Sequence, residues 1–345
     1  EPRPVADALA AAVDEIVAEV GFSGAVRIDV DGAPVVQRAY GWAHRGLAAP
    51  NTIDTLFATA SATKGLTALT VMSLVERGEL RLDTTARALL GDDLPEIDDR
   101  VTVEHLLSHT SGIGDYLDEE LLDDENGYVM TVPVHELATT EQYLAVLDGY
   151  PTKFEPGARF AYCNGGYVVL ALLVERATGT TFHELVAERV CVPAGMVDTA
   201  FLRSDELPGR AALGYLDGDG PRTNVFHLPV RGNGDGGIYT TAADVHALWD
   251  AMLAGRIVGP DTVAEMLRPR TAPTDDALGY GLGFWLAADG AVVLMGGDVG
   301  VGFRSTHHPQ HRTTVTALGN QTAGTTPTAR RIDQLVAELL AGRGT

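Results

Sequence analysis

The stretch FATASATKGLTALTVMSLVERG at residues 57–78 contains a Ser-x-x-Lys pattern at the start of a predicted helix. Within it Lys64 follows Ser61 by three residues, so both side chains lie on one face of a predicted helix. The chain has 25 Lys and Arg residues, of which Lys64 and Lys153 are the two lysines. A lysine is therefore an unusual choice at position 64, which indicates a need for a cation that can lose its proton.

This Ser-x-x-Lys spacing suits an activated serine nucleophile. Serine is a weak nucleophile at its own pKa and needs a nearby base. A lysine near the positive end of a helix and away from water has a lowered pKa and can be that base. The Ser61 N–H, at the helix start, is a candidate oxyanion donor. Alone the pattern is weak, because a helix-start serine and a solvent-facing lysine also produce it, but the apolar positions Leu66, Leu69, Met72 and Val75 predict a central helix.

A second candidate element lies about 100 residues further on, at Tyr162-Cys163-Asn164. A phenol can pass a proton between a serine and a leaving group if a nearby ammonium lowers its pKa. The amide of Asn164 can hold both Lys64 and a substrate carbonyl. Taken singly, these residues also fit a turn before Gly165-Gly166, with Tyr162 packed beneath it.

The order of predicted elements indicates an α+β fold. An amphipathic helix over 5–20 and a hairpin around Asp31-Gly32 begin the chain, and strands followed by a helix end it. We expect the two ends, 1–78 and 272–345, to form one antiparallel sheet flanked by helices. Residues 79–271 form a mainly helical insertion, and the active site lies between the two lobes.

Several segments together resemble the serine β-lactamase-like hydrolases of the class C β-lactamase and DD-peptidase type, in which penicillin-binding proteins share the Ser-x-x-Lys motif. The resemblance covers about 20–340 in family order. Its segments are FATASATKGLTA, VTVEHLLSHTSGI, FEPGARFAYCNGGYVVLALLVERATGTTF, VPAGMVDT, GDGGIYTTAADVHALWDAMLAG and GYGLGFW. The resemblance implies the composite fold predicted above. It also implies that Ser61 is the acylated nucleophile, Lys64 its activating partner and Tyr162 the proton shuttle, while Asn164 positions Lys64 and the substrate amide.

The third motif of this family, Lys-Thr-Gly or His-x-Gly on a strand beside the serine, is altered here. One register aligns it with Asp298-Val299-Gly300, and the other with Met295-Gly296-Gly297. We favour the first, in which Asp298 and Gly300 line the substrate site and Val301 supplies the second oxyanion N–H. Neither register provides a cation.

That alteration bears on the substrate. A substrate carboxylate beside Asp298 would be repelled, so carboxylated β-lactams and D-Ala-D-Ala ends are poor candidates. We expect a serine hydrolase that cleaves a neutral ester or amide, or a substrate with a cationic group, as an esterase or peptidase with little β-lactamase activity. A non-catalytic binding protein on the same scaffold and an acyltransferase remain alternatives.

The bulk properties limit the partners. The net charge of −22 repels nucleic acid and anionic membranes. There is no apolar run of 18 residues and no signal-peptide pattern, so we expect no membrane span, with a cytoplasmic or a mature exported protein both open. The partner expected is a small-molecule or short-peptide substrate, and the oligomeric state is left open.

No cofactor or metal is expected. His105 and His109 are four residues apart, as in half of a zinc site, but the glutamate of a His-Glu-x-x-His motif is missing. Cys163 and Cys191 are expected to be free thiols, since two cysteines do not form a disulfide framework.

Overall fold

A computed structural model describes residues 2–121, 127–273 and 277–341 of the chain. Its strands, in chain order, are β1 Gly24–Val30, β2 Ala33–Tyr40, β3 Trp42–His44, β4 Ala49–Pro50, β5 Phe57–Ala58, β6 Tyr239–Thr240, β7 Leu278–Tyr280, β8 Trp285–Ala287, β9 Val292–Asp298, β10 Val301–His308 and β11 Thr313–Gly319. Its helices are α1 Pro2–Val20, α2 Thr63–Glu76, α3 Ala86–Leu90, α4 Val103–Leu107, α5 Leu144–Leu147, α6 Asn164–Thr178, α7 Phe182–Val186, α8 Val192–Ala194, α9 Ala242–Leu253, α10 Pro260–Met266 and α11 Thr325–Ala341.

Both parts of the chain contribute to one antiparallel sheet, as the sequence predicts. Within the described residues its strand order is β2-β1-β11-β10-β9-β8-β7. The pairing that joins the two parts of the chain is that of β1 with β11, with Gly24 opposite Gly319 and Val30 opposite Thr313. The hairpin between β1 and β2 turns at Asp31 and Gly32, both of which have positive φ, as an Asp-Gly hairpin turn requires. The predicted α+β class is therefore confirmed, while the division into lobes at 78/79 and 271/272 remains a prediction.

Helices cover both faces of this sheet. On one face, Val13 of α1 and Ile332 of α11 pack against Ile28 of β1 in a buried cluster. The other face packs against α2, whose residues from Thr63 to Leu74 are all buried. Burial around its whole circumference gives α2 the central position that the sequence predicts for this helix.

Two small residues bring α2 close to the sheet. A Cβ at Gly65 would lie 2.5 Å from the Leu294 side chain in β9, and a Cβ at Gly283 would lie 2.3 Å from Ala68. Because no side chain fits at these positions, the first turns of α2 lie directly beside β9. This packing places the start of α2 next to β9.

None of the described helices is long and apolar enough to cross a membrane.

Candidate active site

Ser61 lies in a single 3₁₀ turn, Ala60–Ala62, that leads from β5 into α2. The residue before it, Ala60, has φ of 46°, a left-handed conformation that non-glycine residues seldom adopt. Such local strain persists only where the surroundings hold it, and it is concentrated at functional sites. Here Gly236 packs against Ala60: a Cβ at Gly236 would lie 3.4 Å from the Ala60 carbonyl carbon.

Lys64 lies one helical turn below Ser61, and its ammonium group is surrounded by oxygen atoms. Lys64 Nζ donates to Ser61 Oγ at 2.8 Å, to Asn164 Oδ1 at 2.8 Å and to the Asp235 carbonyl oxygen at 2.7 Å. The side chain is 2% exposed. Burial lowers the pKa of Lys64 below its ordinary value, while the negative charges of Asp235 and Glu119 oppose that shift. The predicted contact between Lys64 and Ser61 is thus present in the structure.

Tyr162 lies on the other side of the nucleophile. Its ring centroid is 4.9 Å from Lys64 Nζ, and Tyr162 and Ser61 both line the cleft. The ring is held between His109, at a centroid distance of 4.3 Å, and Trp285, at 6.0 Å. Burial raises the pKa of Tyr162 well above its ordinary value, with Glu119 adding to the shift. The shift is opposite to the lowering considered from the sequence, since desolvation outweighs the effect of the neighbouring lysine.

Asn164 connects Lys64 to the N-terminus of α6. Its Oδ1 accepts a hydrogen bond from Lys64 Nζ, and its Nδ2 donates to the Leu117 carbonyl at 3.0 Å and to Glu119 Oε1 at 3.0 Å. The Asp115 carboxylate accepts from the backbone N–H groups of Asn164 at 2.6 Å and Gly165 at 2.8 Å, so it caps the helix. Burial nevertheless raises the pKa of Asp115 to about 6.

Strand β9 runs past the nucleophile, and Gly296 makes the closest approach. A Cβ at Gly296 would lie 2.2 Å from the Thr59 carbonyl oxygen and 2.7 Å from the Ser61 backbone nitrogen. Only glycine allows the strand to lie this near to the turn that carries Ser61. The middle residue of the Met295-Gly296-Gly297 triplet is therefore the one in contact with the nucleophile.

The favoured register, Asp298-Val299-Gly300, lies at the far end of the same strand. Asp298 ends β9 and pairs with Val301, which begins β10, so Val299 and Gly300 form the hairpin turn. Gly300 donates its N–H to Thr322 Oγ1 at 2.9 Å and packs on Gly214 instead of on Ser61. Asp298 and Val301 do line the cleft, but the geometry favours the other register as the one beside the serine.

Together these residues border a cleft of about 420 Å³. Its walls are largely apolar and aromatic, and include Tyr116, Leu117, Tyr128, Met130, Leu202, Leu228, Trp285 and Met295. Three carboxyl groups also line it, those of Glu119, Asp235 and Asp298, while none of the described lining residues is Lys or Arg. The cleft therefore has largely apolar walls that carry three acidic groups.

Sequence reasoning did not find one buried pair beside Lys64. Tyr116 donates its phenolic proton to Asp235 Oδ2, and the backbone carbonyl of Asp235 accepts from Lys64. Burial raises the pKa of the Asp235 carboxyl and that of the Tyr116 phenol. The segment that carries Asp235 gives no sequence signal for this contact, because every residue type supplies a backbone carbonyl acceptor.

The two histidines considered as half of a zinc site have other partners. His105 Nδ1 accepts the Thr102 N–H at 3.2 Å, in the cap of α4. His109 Nδ1 accepts the Cys163 N–H at 3.0 Å, and burial lowers the pKa of His109 well below its ordinary value. His109 is therefore a neutral ring that supports the Tyr162 face.

Comparison with known proteins matches residues 9–340 to the Beta-lactamase family model. Esterase EstB of Burkholderia gladioli is 33% identical over 307 residues, which cover 80% of this chain and 77% of the esterase. A D-aminopeptidase of Brucella anthropi is 32% identical over 284 residues, with 80% of this chain covered but 51% of that protein.

Solved structures agree with the match to this family. A penicillin binding protein from Bacillus halodurans superimposes with a TM-score of 0.87 at 35% identity, covering 94% of this chain and 99% of that one. A D-amino acid amidase from Ochrobactrum anthropi, at 22% identity and a TM-score of 0.79, supports the likeness in fold.

Proposed function

The chain belongs to the Beta-lactamase family and is a serine hydrolase, and on that premise we propose that Ser61 carries the acyl group during cleavage of an ester or amide. The observation that supports this most is the 2.8 Å contact between Lys64 Nζ and Ser61 Oγ in a buried site. A base at that distance can take the serine proton directly.

The hydrogen bonds of Lys64 suit both its protonated and its neutral form. A protonated amine donates three hydrogen bonds, and Nζ has three oxygen neighbours. A neutral amine would keep its two bonds to Asn164 Oδ1 and the Asp235 carbonyl, and its lone pair would accept the Ser61 hydroxyl proton. The neighbours of Lys64 thus serve both protonation states, and burial brings the neutral state closer to working pH.

We assign the acylation step as follows. Ser61 Oγ bonds to the carbonyl carbon while its proton passes to Lys64 Nζ, and the bond from that carbon to the leaving oxygen or nitrogen then breaks. The leaving group takes a proton from Tyr162, which is neutral because its pKa is raised, and Tyr162 regains one from Lys64. Water next attacks the ester on Ser61, giving one proton to Oγ and releasing the acid.

Two backbone N–H groups are proposed to stabilise the oxyanion, those of Ser61 and Gly297. N–H groups along an antiparallel strand point alternately to either side. Because Asp298 pairs with Val301 at the turn, the Gly297 N–H points away from β10, towards the cleft edge of β9. β8 pairs with β9 further back, at Val292 and Val293, and a Cβ at Gly297 would meet no atom within 4 Å. We therefore assign to Gly297 the role that the sequence reading gave to Val301.

The acyl part of the substrate is proposed to lack a carboxylate. Glu119, Asp235 and Asp298 line the cleft, and none of the described lining residues is Lys or Arg. A carboxylate placed there would be repelled and would lose its hydration without an ionic partner. Since the relatives include proteins named as an esterase and a D-aminopeptidase, we keep both esters and amides as substrate classes.

The two alternatives from the sequence are not favoured. A binding protein without turnover would need no lysine in contact with the serine, and an acyltransferase would need a site for an acceptor that nothing here identifies. The relatives are hydrolases.

Turnover of two chromogenic substrates tests the proposal. We expect hydrolysis of a neutral p-nitrophenyl ester, abolished in Ser61→Ala, and kcat/KM at least about a hundredfold lower for a carboxylated cephalosporin. Efficient hydrolysis of the cephalosporin would contradict the proposed substrate class. Ester hydrolysis that persists in Ser61→Ala would contradict the role of Ser61.

A further inference from the structure

The segment that carries Tyr162 belongs to no strand or helix, so it is held by other contacts. Residues 161–163 lie just before α6, and His109 binds them on both sides of the tyrosine. The Ala161 N–H donates to the His109 carbonyl at 2.9 Å, and the Cys163 N–H donates to His109 Nδ1 at 3.0 Å. One residue thus holds the backbone immediately before and immediately after Tyr162.

The imidazole ring of His109 also packs against the Tyr162 ring itself. The two centroids are 4.3 Å apart at an interplanar angle of 32°, and Trp285 stacks on Tyr162 at 6.0 Å and 17°. Tyr167 and Tyr280 lie 5.0 and 4.8 Å from the His109 ring and keep it in place. Because the Tyr162 ring is packed in this way, its hydroxyl points in one direction. His109 therefore fixes both the phenol and the backbone from which it extends.

Histidine supplies both contacts, and it does so at a cost to folding. Since Nδ1 accepts from Cys163, the neutral ring carries its proton on Nε2, which is buried and has no hydrogen-bond partner within the described residues. The φ of His109 is 57°, in the left-handed region. Phenylalanine would keep the ring without the acceptor, and asparagine would keep the acceptor without the ring. Strain and an unmade hydrogen bond at one residue are typical of functional sites.

His109 lies behind Tyr162 and does not touch the substrate, since it is absent from the described residues that line the cleft. Protonation of the leaving group needs the Tyr162 hydroxyl within hydrogen-bonding reach of the leaving atom. A displacement of about 1 Å at such a group can lower the rate about a hundredfold. Resting on the function proposed above, we propose that His109 is a positioning residue that aims the Tyr162 hydroxyl at the leaving group.

A double-mutant cycle tests this, because a residue that acts through the Tyr162 hydroxyl has no effect once that hydroxyl is gone. His109→Asn is made in the native chain and in Tyr162→Phe, and kcat and KM are measured for a neutral p-nitrophenyl ester. Asparagine tolerates the left-handed conformation and keeps an acceptor for Cys163, while the ring contact with Tyr162 is lost. His105→Asn is the matched control, because His105 caps α4 through Thr102.

We expect His109→Asn to lower kcat at least about tenfold in the native chain, with KM changed less than about twofold. In Tyr162→Phe the same substitution should change kcat less than about twofold. His105→Asn should leave kcat unchanged in both backgrounds. Equal losses from His109→Asn in the two backgrounds would overturn the inference, since a general distortion of the cleft does not depend on the hydroxyl. An unchanged kcat in the native chain would overturn it as well.

His109→Phe is a second variant, which keeps the ring and removes the acceptor for the Cys163 N–H. We expect the same pattern from it, because the backbone after Tyr162 is then released. Failure of both variants to fold would give His109 a structural role and would also contradict the proposal. Ester hydrolysis that depends on Ser61 leaves the proposed function standing whatever the cycle shows, whereas ester hydrolysis that persists in Ser61→Ala contradicts the function itself.

Discussion

Lys64 Nζ and Ser61 Oγ are 2.8 Å apart, one helical turn from each other, and Lys64 is buried. Burial lowers the pKa of Lys64, so the pair can exist as a neutral amine that accepts the serine proton.

Replacement of Lys64 by arginine should abolish acylation while keeping the positive charge. Arginine stays protonated in proteins and cannot take the Ser61 proton. We expect the acylation rate of Lys64→Arg to fall about a thousandfold, measured as the rate of ester turnover. Arg231→Lys is the matched control for a basic-residue exchange, because Arg231 donates to the Phe201 carbonyl and is absent from the cleft lining. Wild-type turnover by Lys64→Arg would show that Lys64 is not the base.

Tyr162→Phe should lose catalysis and keep the fold. The ring remains between His109 and Trp285, but the hydroxyl that protonates the leaving group is gone. We expect kcat to fall about a hundredfold or more, with an unchanged melting temperature. Tyr40→Phe, which removes a remote exposed hydroxyl bonded to Asp14, should keep the wild-type kcat. Equal activity of the two variants would exclude Tyr162 as the proton shuttle.

Asp235→Asn should move the pH profile of kcat/KM. Activity needs neutral Lys64, so it rises with pH through the Lys64 pKa, which burial lowers. The negative charge of Asp235 favours the ammonium form and raises that pKa, while an asparagine can still accept from Tyr116. Removing the charge therefore shifts the acid limb of the profile to lower pH. An acid limb that stays in place, or moves to higher pH, would rule out this coupling.

Gly296→Ala should test the close approach of β9 to the nucleophile. The added methyl meets backbone atoms of Thr59 and Ser61 at 2.7 Å or less, so the strand must move away from the nucleophile. We expect ester turnover to fall by more than about a hundredfold. The methyl of Gly297→Ala meets open space and leaves the N–H in place, so its loss should be much smaller. Equal losses in both variants would contradict the close approach of Gly296 to the turn that carries Ser61.

Part of this structure could be predicted because its signals are local. The Asp31-Gly32 turn, the apolar helix α2 and the spacing of Ser61 and Lys64 each depend on neighbouring residues. These features, read in family order, were enough to give the α+β class and the pairing of the two chain ends.

The register of β9 could not be predicted, because MGGDVG contains three glycines and neither the lysine nor the histidine that would fix the alignment. The observation that favours one of the two possible registers is the approach of Gly296 to Ser61, a contact between segments 235 residues apart in sequence. The raised pKa of Tyr162 and the Asp235 carbonyl beside Lys64 have the same origin, since burial and backbone acceptors appear only after folding.

Intact-mass spectrometry after reaction with a fluorophosphonate tests the central claim most directly. The proposed function predicts one adduct per chain, mapped by peptide analysis to Ser61, with no adduct on Ser61→Ala and much slower labelling of Lys64→Arg. An adduct on another residue that persists in Ser61→Ala, or a native chain that stays unlabelled, would contradict it.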